Sequence, residues 1–374
     1  MKTATITFHA SHNYGSMLQA YALQQTILRL GYENEIINLR TLRQKQLYPA
    51  YPMVNPFSSL ENLVKYILEW TIYWRERKLC IQKYQIFEQF LQDKLILTPE
   101  YVSIDQFVTD HKQYDCYIAG GDQIWNTSAF DFDWSFYLPF VKKGKRISYA
   151  VSMGRKPDFT NNQVSLIREY LGAFDTISVR EEGTKEMVES LVSRPVSLML
   201  DPVFLLTQQE WESQIATDAI IKGKYILMYS PKYDKEVCDI ANKLSKRLNL
   251  PVVNTIFIWK MLKYRFIHKL DVGPLEFVNL IANSTLVVSG SYHALVFSAI
   301  FHKPFFAVNG NRDNRMITFL KTMNLQNRTI CIEDSHMKVA EAFQCDFTDA
   351  DKYLQHHRTL SIDYLQKVIG YGEK

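Results

Sequence analysis

His293, one of nine histidines, follows a segment typical of a buried strand and begins a segment with the residue spacing of a helix. Residues 285–289 contain three consecutive apolar side chains at 286–288, Gly290 follows them, and Ser291 is a residue type favoured at helix N-caps. His293 would then lie in the first helical turn, where free backbone N–H groups and the positive end of the helix dipole bind anions. Because a bound anion favours the protonated imidazole, we predict that His293 contacts an anion and donates a proton. The alternative is a histidine packed at a domain interface.

Two glycines and an aspartate end another predicted strand. Gly120 and Gly121 carry no side chain, so a ligand can approach the backbone closely there. Asp122, which follows, can accept a proton from a hydroxyl group. Trp125 has a ring that stacks well on a sugar, although a core tryptophan is an equal alternative. We therefore assign Asp122 to catalysis and Gln123 and Trp125 to binding of an acceptor.

A polar loop at residues 12–16 follows the first predicted strand and opens a helix. Asn13 and Gly15 tolerate left-handed backbone, so that N–H groups can turn towards a ligand. The loop does not have the glycine spacing of a dinucleotide site. We assign its residues to the acceptor as well, with an ordinary surface histidine as the alternative for the first of them. These residues are His12, Asn13, Tyr14 and Gly15.

Three arginines are candidates for neutralising an anionic ligand. Arg180 follows a predicted strand at the edge of the sheet. The alternative to a ligand contact is a structural ion pair of Arg180 with a neighbour such as Asp201. We take Asp201 itself as a structural residue. Arg312 and Arg315 lie in a polar loop near the end of the second half. Arg315 is the better candidate because it begins a predicted helix.

The elements that carry these residues alternate between strands and helices. Four successive predicted strands end in small or polar residues, as in an open parallel sheet with a ligand crevice at its carboxyl edge. A second alternation starts near residue 224. We predict an α/β protein of two Rossmann-like domains that face each other across a cleft. Residues 1–205 form the first, on the acceptor side, with a helical insertion at about 41–98, and residues 206–374 form the second, on the donor side, with the terminal helices.

The composition is that of an ordinary globular protein. The chain has 374 residues and a net charge of +4, which does not indicate a nucleic-acid binder. Its five cysteines show no metal-ligand spacing and are expected to be reduced. Because no secretory pattern precedes residue 3 and no window is apolar enough to span a membrane, we expect a cytoplasmic protein.

The insertion contains a basic cluster beside aromatic residues. Arg75, Arg77 and Lys78 follow Tyr73 and Trp74 directly. Such a combination can contact an anionic membrane or a lipid-linked acceptor. The alternative is a solvated helix face.

Six motifs in order along the chain resemble the polysaccharide pyruvyl transferase family. They are HNYGSMLQAYAL at 12–23, GGDQIWN at 120–126, YAVSMG at 149–154, SVREEG at 178–183, DPVFLL at 201–206 and VVSGSYHALVFSAIFHKPFFAV at 287–308. The resemblance implies a fold like that of the B-type glycosyltransferases. It also implies transfer of a pyruvyl group from phosphoenolpyruvate to a sugar of a cell-surface glycan or its lipid-linked precursor, forming a cyclic ketal. No metal or organic cofactor is implied.

The same resemblance assigns roles to individual residues. It places the functional histidine at His293 and a contact to the donor phosphate or carboxylate at Arg180. Gly290, Ser291 and Tyr292 would complete the donor site. Better-understood members have an arginine at the position of Ser291, and losing a cation there is not conservative. We therefore predict that Arg315 supplies the missing charge.

Two other functions are compatible with the sequence. One is a nucleotide-sugar glycosyltransferase on the same architecture, which would need a pocket for ribose and base. The other is a non-catalytic relative that binds a glycan. An empty anion site with Arg180 held in an ion pair would favour the latter.

Overall fold

Two parallel β-sheets flanked by helices form the framework of the protein. The computed structural model describes residues 1–48, 60–110, 112–154, 159–256, 258–310, 312–333 and 339–370. The first sheet has the order β2-β1-β3-β4, and all its neighbours are parallel. These strands are β1 (Lys2–Ile6), β2 (Glu33–Ile36), β3 (Cys116–Gly120) and β4 (Lys145–Tyr149). Parallel bridges continue it to the short pair β5 (Ser178–Val179) and β6 (Ser197–Leu198).

The second sheet has six strands in the order β12-β11-β10-β7-β8-β9. They are β7 (Ile226–Tyr229), β8 (Val252–Asn254), β9 (Ile267–His268), β10 (Leu286–Ser289), β11 (Phe305–Val308) and β12 (Thr329–Ile330). The strands β7, β10 and β11 are buried along their whole length, which explains why they appear in the sequence as continuous apolar runs. The predicted α/β class with parallel sheets is therefore confirmed.

Helices cover both sheets. In the first half they are α1 (Tyr14–Arg29), α2 (Leu42–Leu47), α3 (Leu60–Lys94), α4 (Ile104–Thr109), α5 (Asn161–Gly172), α6 (Glu182–Val192) and α7 (Gln208–Glu212). In the second half they are α8 (Lys235–Leu248), α9 (Pro274–Ala282), α10 (Tyr292–Ile300), α11 (Asn314–Thr322) and α12 (Thr348–Gly370). The predicted insertion corresponds to α2 and α3, and α3 is kinked at Glu76. Part of that insertion, residues 49–59, lies outside the described residues.

The terminal helix α12 does not stay with the second sheet, to which the sequence assigned it. Its start packs through Leu354 in an apolar cluster shared by the two halves, and Asp349 and Asp351 near its start bind Asn324 and His302 of the second half. Its end packs through Leu365 and Ile369 on Ile118 of the first sheet. Sequence spacing alone does not show that one apolar stripe packs on two different surfaces.

The two halves are in direct contact through α1 and α9. Tyr14 is 2% exposed, its ring stacks on Phe277 with centroids 4.3 Å apart, and its hydroxyl donates to the carbonyl of Val272 at 3.1 Å. This packing fixes the N-terminus of α1 next to the second half. No described helix is long and apolar enough to cross a membrane.

Candidate functional site

Two helix N-termini meet at the interface of the halves. Helix α10 follows β10 through Gly290 and is capped at Ser291, whose side chain makes no cap hydrogen bond. The backbone N–H of Ser291 instead donates to the Ser289 hydroxyl at 3.0 Å. The first turn of α10 has no intrahelical acceptors for its N–H groups, so this end remains able to bind an anion. The predicted strand–glycine–helix arrangement around His293 is present in the structure.

His293 lies in that first turn and is nearly buried, with 7% of its surface exposed. Its Nε2 is 3.6 Å from Oδ2 of Asp201, which is longer than a hydrogen bond, and has no hydrogen-bond partner among the described residues. The imidazole is therefore close to a carboxylate, and its buried Nε2 makes no hydrogen bond to a described residue.

Gly15, in the first turn of α1, packs directly on the His293 ring. A Cβ added at Gly15 would lie 2.1 Å from Nδ1 and 2.3 Å from Cγ of His293. No side chain fits there unless the ring moves. The glycine is needed for this close approach rather than for a left-handed backbone.

Replacing this glycine is expected to destabilise the protein. Gly15→Ala forces the ring and the two helix ends apart, so we expect its free energy of unfolding to fall by about 1–3 kcal/mol. Gly172→Ala, where a Cβ meets nothing within 4 Å, is the matched control and should stabilise by about 0.4–1 kcal/mol. Urea unfolding of both variants measures the difference. Equal behaviour of the two variants would contradict the packing described.

A cavity of about 230 Å³ opens between the two helix ends. Residues from both halves line it. From the first half these are Phe8, Ser11, Asn13, Ser16, Tyr48, Asp122, Gln123, Asn126, Ala129 and Asp131. From the second half they are Pro231, Gly290, Ser291, Tyr292, His293 and Arg315.

The wall from the first half is acidic. Asp122 accepts a hydrogen bond from the Ser16 hydroxyl at 2.5 Å and another from the backbone N–H of Gln123 at 2.8 Å. Its backbone is left-handed, with φ at 51°, directly after Gly121. This strained turn aims the carboxylate at the cavity. Asp131 is buried, and burial together with the nearby charge of Asp122 raises the pKa of Asp131 above its usual value.

The wall from the second half carries the positive end of α10 and one arginine. Arg315 is held by Asp313 through two hydrogen bonds, from Nε at 3.1 Å and from Nη2 at 2.7 Å. Its guanidinium lies 5.9 Å from the ring centre of Tyr292, which also lines the cavity. Arg312 is exposed, lies 3.7 Å from Glu236, and does not line the cavity. Arg315 is thus the better placed of the two arginines.

Arg180 lies behind Tyr292 rather than in the cavity. Its guanidinium is 4.7 Å from the ring centre of Tyr292, donates to Glu181 at 2.8 Å, and forms an ion pair with Asp201. Burial alone would lower the pKa of Arg180, but the two carboxylates raise it well above its usual value. Arg180 thus holds Asp201 and does not line this cavity, and its contact with a ligand stays a prediction.

Asp201 is completely enclosed between Arg180 and His293. One carboxylate oxygen accepts from the backbone N–H of Val203 at 2.9 Å, and the other faces Arg180 and His293. Burial would raise the pKa of Asp201, but Arg180 and His293 outweigh it and hold the pKa well below its usual range. This charged aspartate fixes the electrostatic environment of the imidazole.

Three predicted acceptor residues do not reach the cavity. Trp125 is fully buried, donates to the carbonyl of Phe136 at 3.1 Å and stacks in the core, so its predicted sugar contact is wrong. His12 binds Glu88 at 2.8 Å among aromatic rings. Tyr14 is an interface residue, as described above. Asn13 instead caps α1 through its side chain and lines the cavity, as Gln123 does.

The sequence missed several cavity residues. Asp131, Tyr48, Ser11 and Asn126 line it, but they lie in irregular segments that have no strand or helix spacing. In the described part of the chain, no cluster of His, Cys, Asp or Glu is suited to hold a metal ion.

The fold and the position of the cavity between two parallel α/β halves define a B-type glycosyltransferase fold. A UDP-N-acetylglucosamine 2-epimerase from Rickettsia bellii is similar over 99% of both chains, with 11% identity and a TM-score of 0.51. The UDP-GlcNAc 2-epimerase of Methanocaldococcus jannaschii, with UDP-GlcNAc and UDP, covers 96% of this chain and 99% of its own, at 12% identity and a TM-score of 0.52. An alpha-glucosyltransferase with UDP and DNA is similar over 99% of both chains, at 9% identity and a TM-score of 0.50.

The sequence match is more specific than these similarities of fold. The family model for polysaccharide pyruvyl transferase matches residues 13–312, which include both helix ends at the cavity. The chain belongs to the polysaccharide pyruvyl transferase family. A comparison with curated proteins finds no match.

Proposed function

We propose that the protein transfers a pyruvyl group from phosphoenolpyruvate to two hydroxyls of a glycan or of its lipid-linked precursor. The observation that carries this proposal is the opposite character of the two cavity walls. The α10 N-terminus, His293 and Arg315 suit an anionic donor, whereas Asp122 and Asp131 suit sugar hydroxyls. Membership of the family supports the same assignment.

The residues present fit the proton balance of ketal formation. The methylene carbon of the donor gains a proton and becomes a methyl group, while two hydroxyl oxygens bond to the adjacent carbon and its bond to phosphate breaks. Of the two hydroxyl protons, one offsets the proton given to carbon and the other leaves with phosphate. His293 would donate to the methylene carbon, and Asp122 would accept from an attacking hydroxyl. No step needs a metal or an organic cofactor.

The donor's charge is neutralised by fewer cations than in relatives with an arginine at position 291. The helix end contributes about half a unit charge. Protonated His293 and Arg315 would supply the rest, with Arg315 partly shared with Asp313. Arg180 does not contribute directly, because it is engaged by Glu181 and Asp201.

Arg315 is therefore expected to control affinity for the donor. Arg315→Ala should weaken binding of phosphoenolpyruvate by roughly 10- to 150-fold, the equivalent of about 1.5–3 kcal/mol for a charge-assisted contact. Arg312→Ala, which removes an exposed arginine outside the cavity, is the control and should bind normally. Adding Ser291→Arg to Arg315→Ala should restore part of the affinity. Titration calorimetry with phosphoenolpyruvate measures the affinity of the wild type and of the three variants.

A thermal-shift series with the wild-type protein tests the donor itself. Phosphoenolpyruvate at a hundred times its Kd should stabilise the protein by about 2.7 kcal/mol. Protection by nucleoside diphosphates alone would replace this proposal by a nucleotide-sugar glycosyltransferase.

The ion pair of Arg180 favours a second candidate, a non-catalytic relative that binds glycans. Incubation with phosphoenolpyruvate and candidate glycans separates the two functions, because only the transferase releases phosphate. A protein that binds glycans but releases no phosphate with any acceptor would support the non-catalytic function.

A further inference from the structure

The first half of α3 presents apolar side chains to solvent along one helix face. Val64 is 50% exposed, Ile67 55% and Trp74 62%, and Leu63 is also exposed. Leu63, Ile67 and Trp74 follow one another at spacings of four and seven residues, which places them on the same side of a helix. Surface apolar residues are common singly, but a row of them on one helix indicates a contact surface.

Positive charge lies at the end of this row. Arg75, Arg77 and Lys78 are exposed, and Arg77 lies over the ring of Trp74 at 5.3 Å from its centre. Glu76 neutralises only part of this charge, through its ion pair with Arg75 at 3.0 Å. Between Trp74 and Lys78 the helix thus carries three cations and one carboxylate.

Aromatic rings border the exposed row. Tyr66, Trp70 and Tyr73 are half-buried and contact one another, with centroids 5.9 Å apart for Tyr66 and Trp70 and 5.4 Å for Trp70 and Tyr73. Tyrosine has an apolar body and a polar end, which suits the level of lipid headgroups, whereas the indole Nε1 of Trp70 is buried. An apolar row, aromatic borders and adjacent cations are the features of a helix that lies in a membrane interface.

We propose that this face of α3, defined by Leu63, Val64, Ile67, Trp74 and the cations Arg75, Arg77 and Lys78, binds the surface of an anionic membrane. Charge complementarity selects this occupant, because a second copy of the chain would present the same positive charge. The helix does not cross the bilayer; its apolar row enters the headgroup region while the cations bind lipid phosphates.

The same helix continues to the cavity region. Beyond the kink at Glu76, the ring of Phe87 contacts the ring of Tyr14 with centroids 5.3 Å apart, and Glu88 forms a hydrogen bond with His12. Binding at the membrane would keep the cavity close to lipid-linked sugars. The proposal concerns the surface itself and stands whether or not phosphoenolpyruvate is the donor.

Flotation of the full chain with vesicles tests the proposal. The protein should float with vesicles of phosphatidylglycerol and phosphatidylcholine, weakly or not at all with phosphatidylcholine alone, and less as salt is raised. The charge reversal Arg75→Glu, Arg77→Glu, Lys78→Glu should weaken binding on the order of a hundredfold, because each basic residue near the surface adds to the attraction. The control Lys142→Glu, Lys143→Glu, Lys224→Glu makes the same change in net charge at exposed sites outside α3 and should bind like the wild type.

A second variant separates the apolar row from the charge. The triple variant Leu63→Ser, Ile67→Ser, Trp74→Ser should lose vesicle binding. Its circular dichroism spectrum and its affinity for ligands of the cavity should remain those of the wild type. The proposal is overturned if the wild type does not float with anionic vesicles, or if the control reversal loses binding as fully as the α3 reversal. It is also overturned if the serine variant instead abolishes a dimer seen by light scattering, since a second copy would then cover this face.

Discussion

His293→Ala is expected to reduce the proposed transfer activity by about 10²- to 10⁴-fold in kcat/KM, because positioned acid–base groups contribute that much. The fold should tolerate the change, since Nε2 of His293 makes no hydrogen bond that the alanine would break. Initial rates of phosphate release, measured with unfolding curves of the same samples, provide the test.

Two further variants make this result specific to the imidazole. His356→Ala, which removes an exposed histidine of α12 remote from the cavity, should leave the rate unchanged. His293→Gln keeps a side chain of similar size that cannot transfer a proton, so it should be nearly as inactive as the alanine. A loss of kcat/KM below tenfold in both His293 variants would indicate that this residue has a packing role and no catalytic one.

Asp201→Asn is expected to give the largest loss of stability, about 3–5 kcal/mol, because it leaves Arg180 buried with one of its two carboxylates removed. Asp93→Asn, on an exposed position of α3, is the matched control and should change stability by less than about 0.5 kcal/mol. Transfer should also slow in Asp201→Asn, since the charge beside His293 is gone. Urea unfolding and initial rates measure the two effects separately.

The pH dependence of the loss of stability in Asp201→Asn follows from the lowered pKa of Asp201. A carboxylate whose pKa is lower in the folded state stabilises the protein above its unfolded pKa of about 3.9. This contribution is lost as pH falls through the folded pKa. The difference between wild type and Asp201→Asn should therefore be constant from pH 7 to 5 and should shrink below about pH 4. A difference that grows on acidification would rule out Asp201 as its source.

Local sequence rules were sufficient to predict the position of His293. A buried apolar run, a glycine and a capping serine predict a strand that leads into a helix, and each step depends only on neighbouring residues. The result is the first turn of α10 facing the cavity. The same rules predicted that Asp122 follows β3, where parallel strands present their carboxyl ends.

Contacts between residues that are far apart in the sequence are harder to predict from it. The ion pair of Arg180 with Asp201 is one alternative that the sequence offers, but choosing it requires the pairing of β5 with β6, which spacing along the chain does not give. Trp125 next to the GGDQ motif was equally compatible with a sugar contact and with the core, and only its stacking on Tyr137 decides. Asp131 belongs to an irregular segment, where no periodicity indicates which side chains point inwards.

The path of α12 has a consequence for how the protein is made. Leu365 and Ile369 cover a face of the first sheet that includes Cys116 and Ile118, yet they are among the last described residues. Synthesis proceeds from the N-terminus, and domains generally fold as they emerge. Leu23 and Ile27 of α1 pack in the same cluster, but on the ribosome the part of this face that α12 covers becomes protected only after more than two hundred further residues have been added. The packing of the first sheet is therefore completed only when α12 has been synthesised.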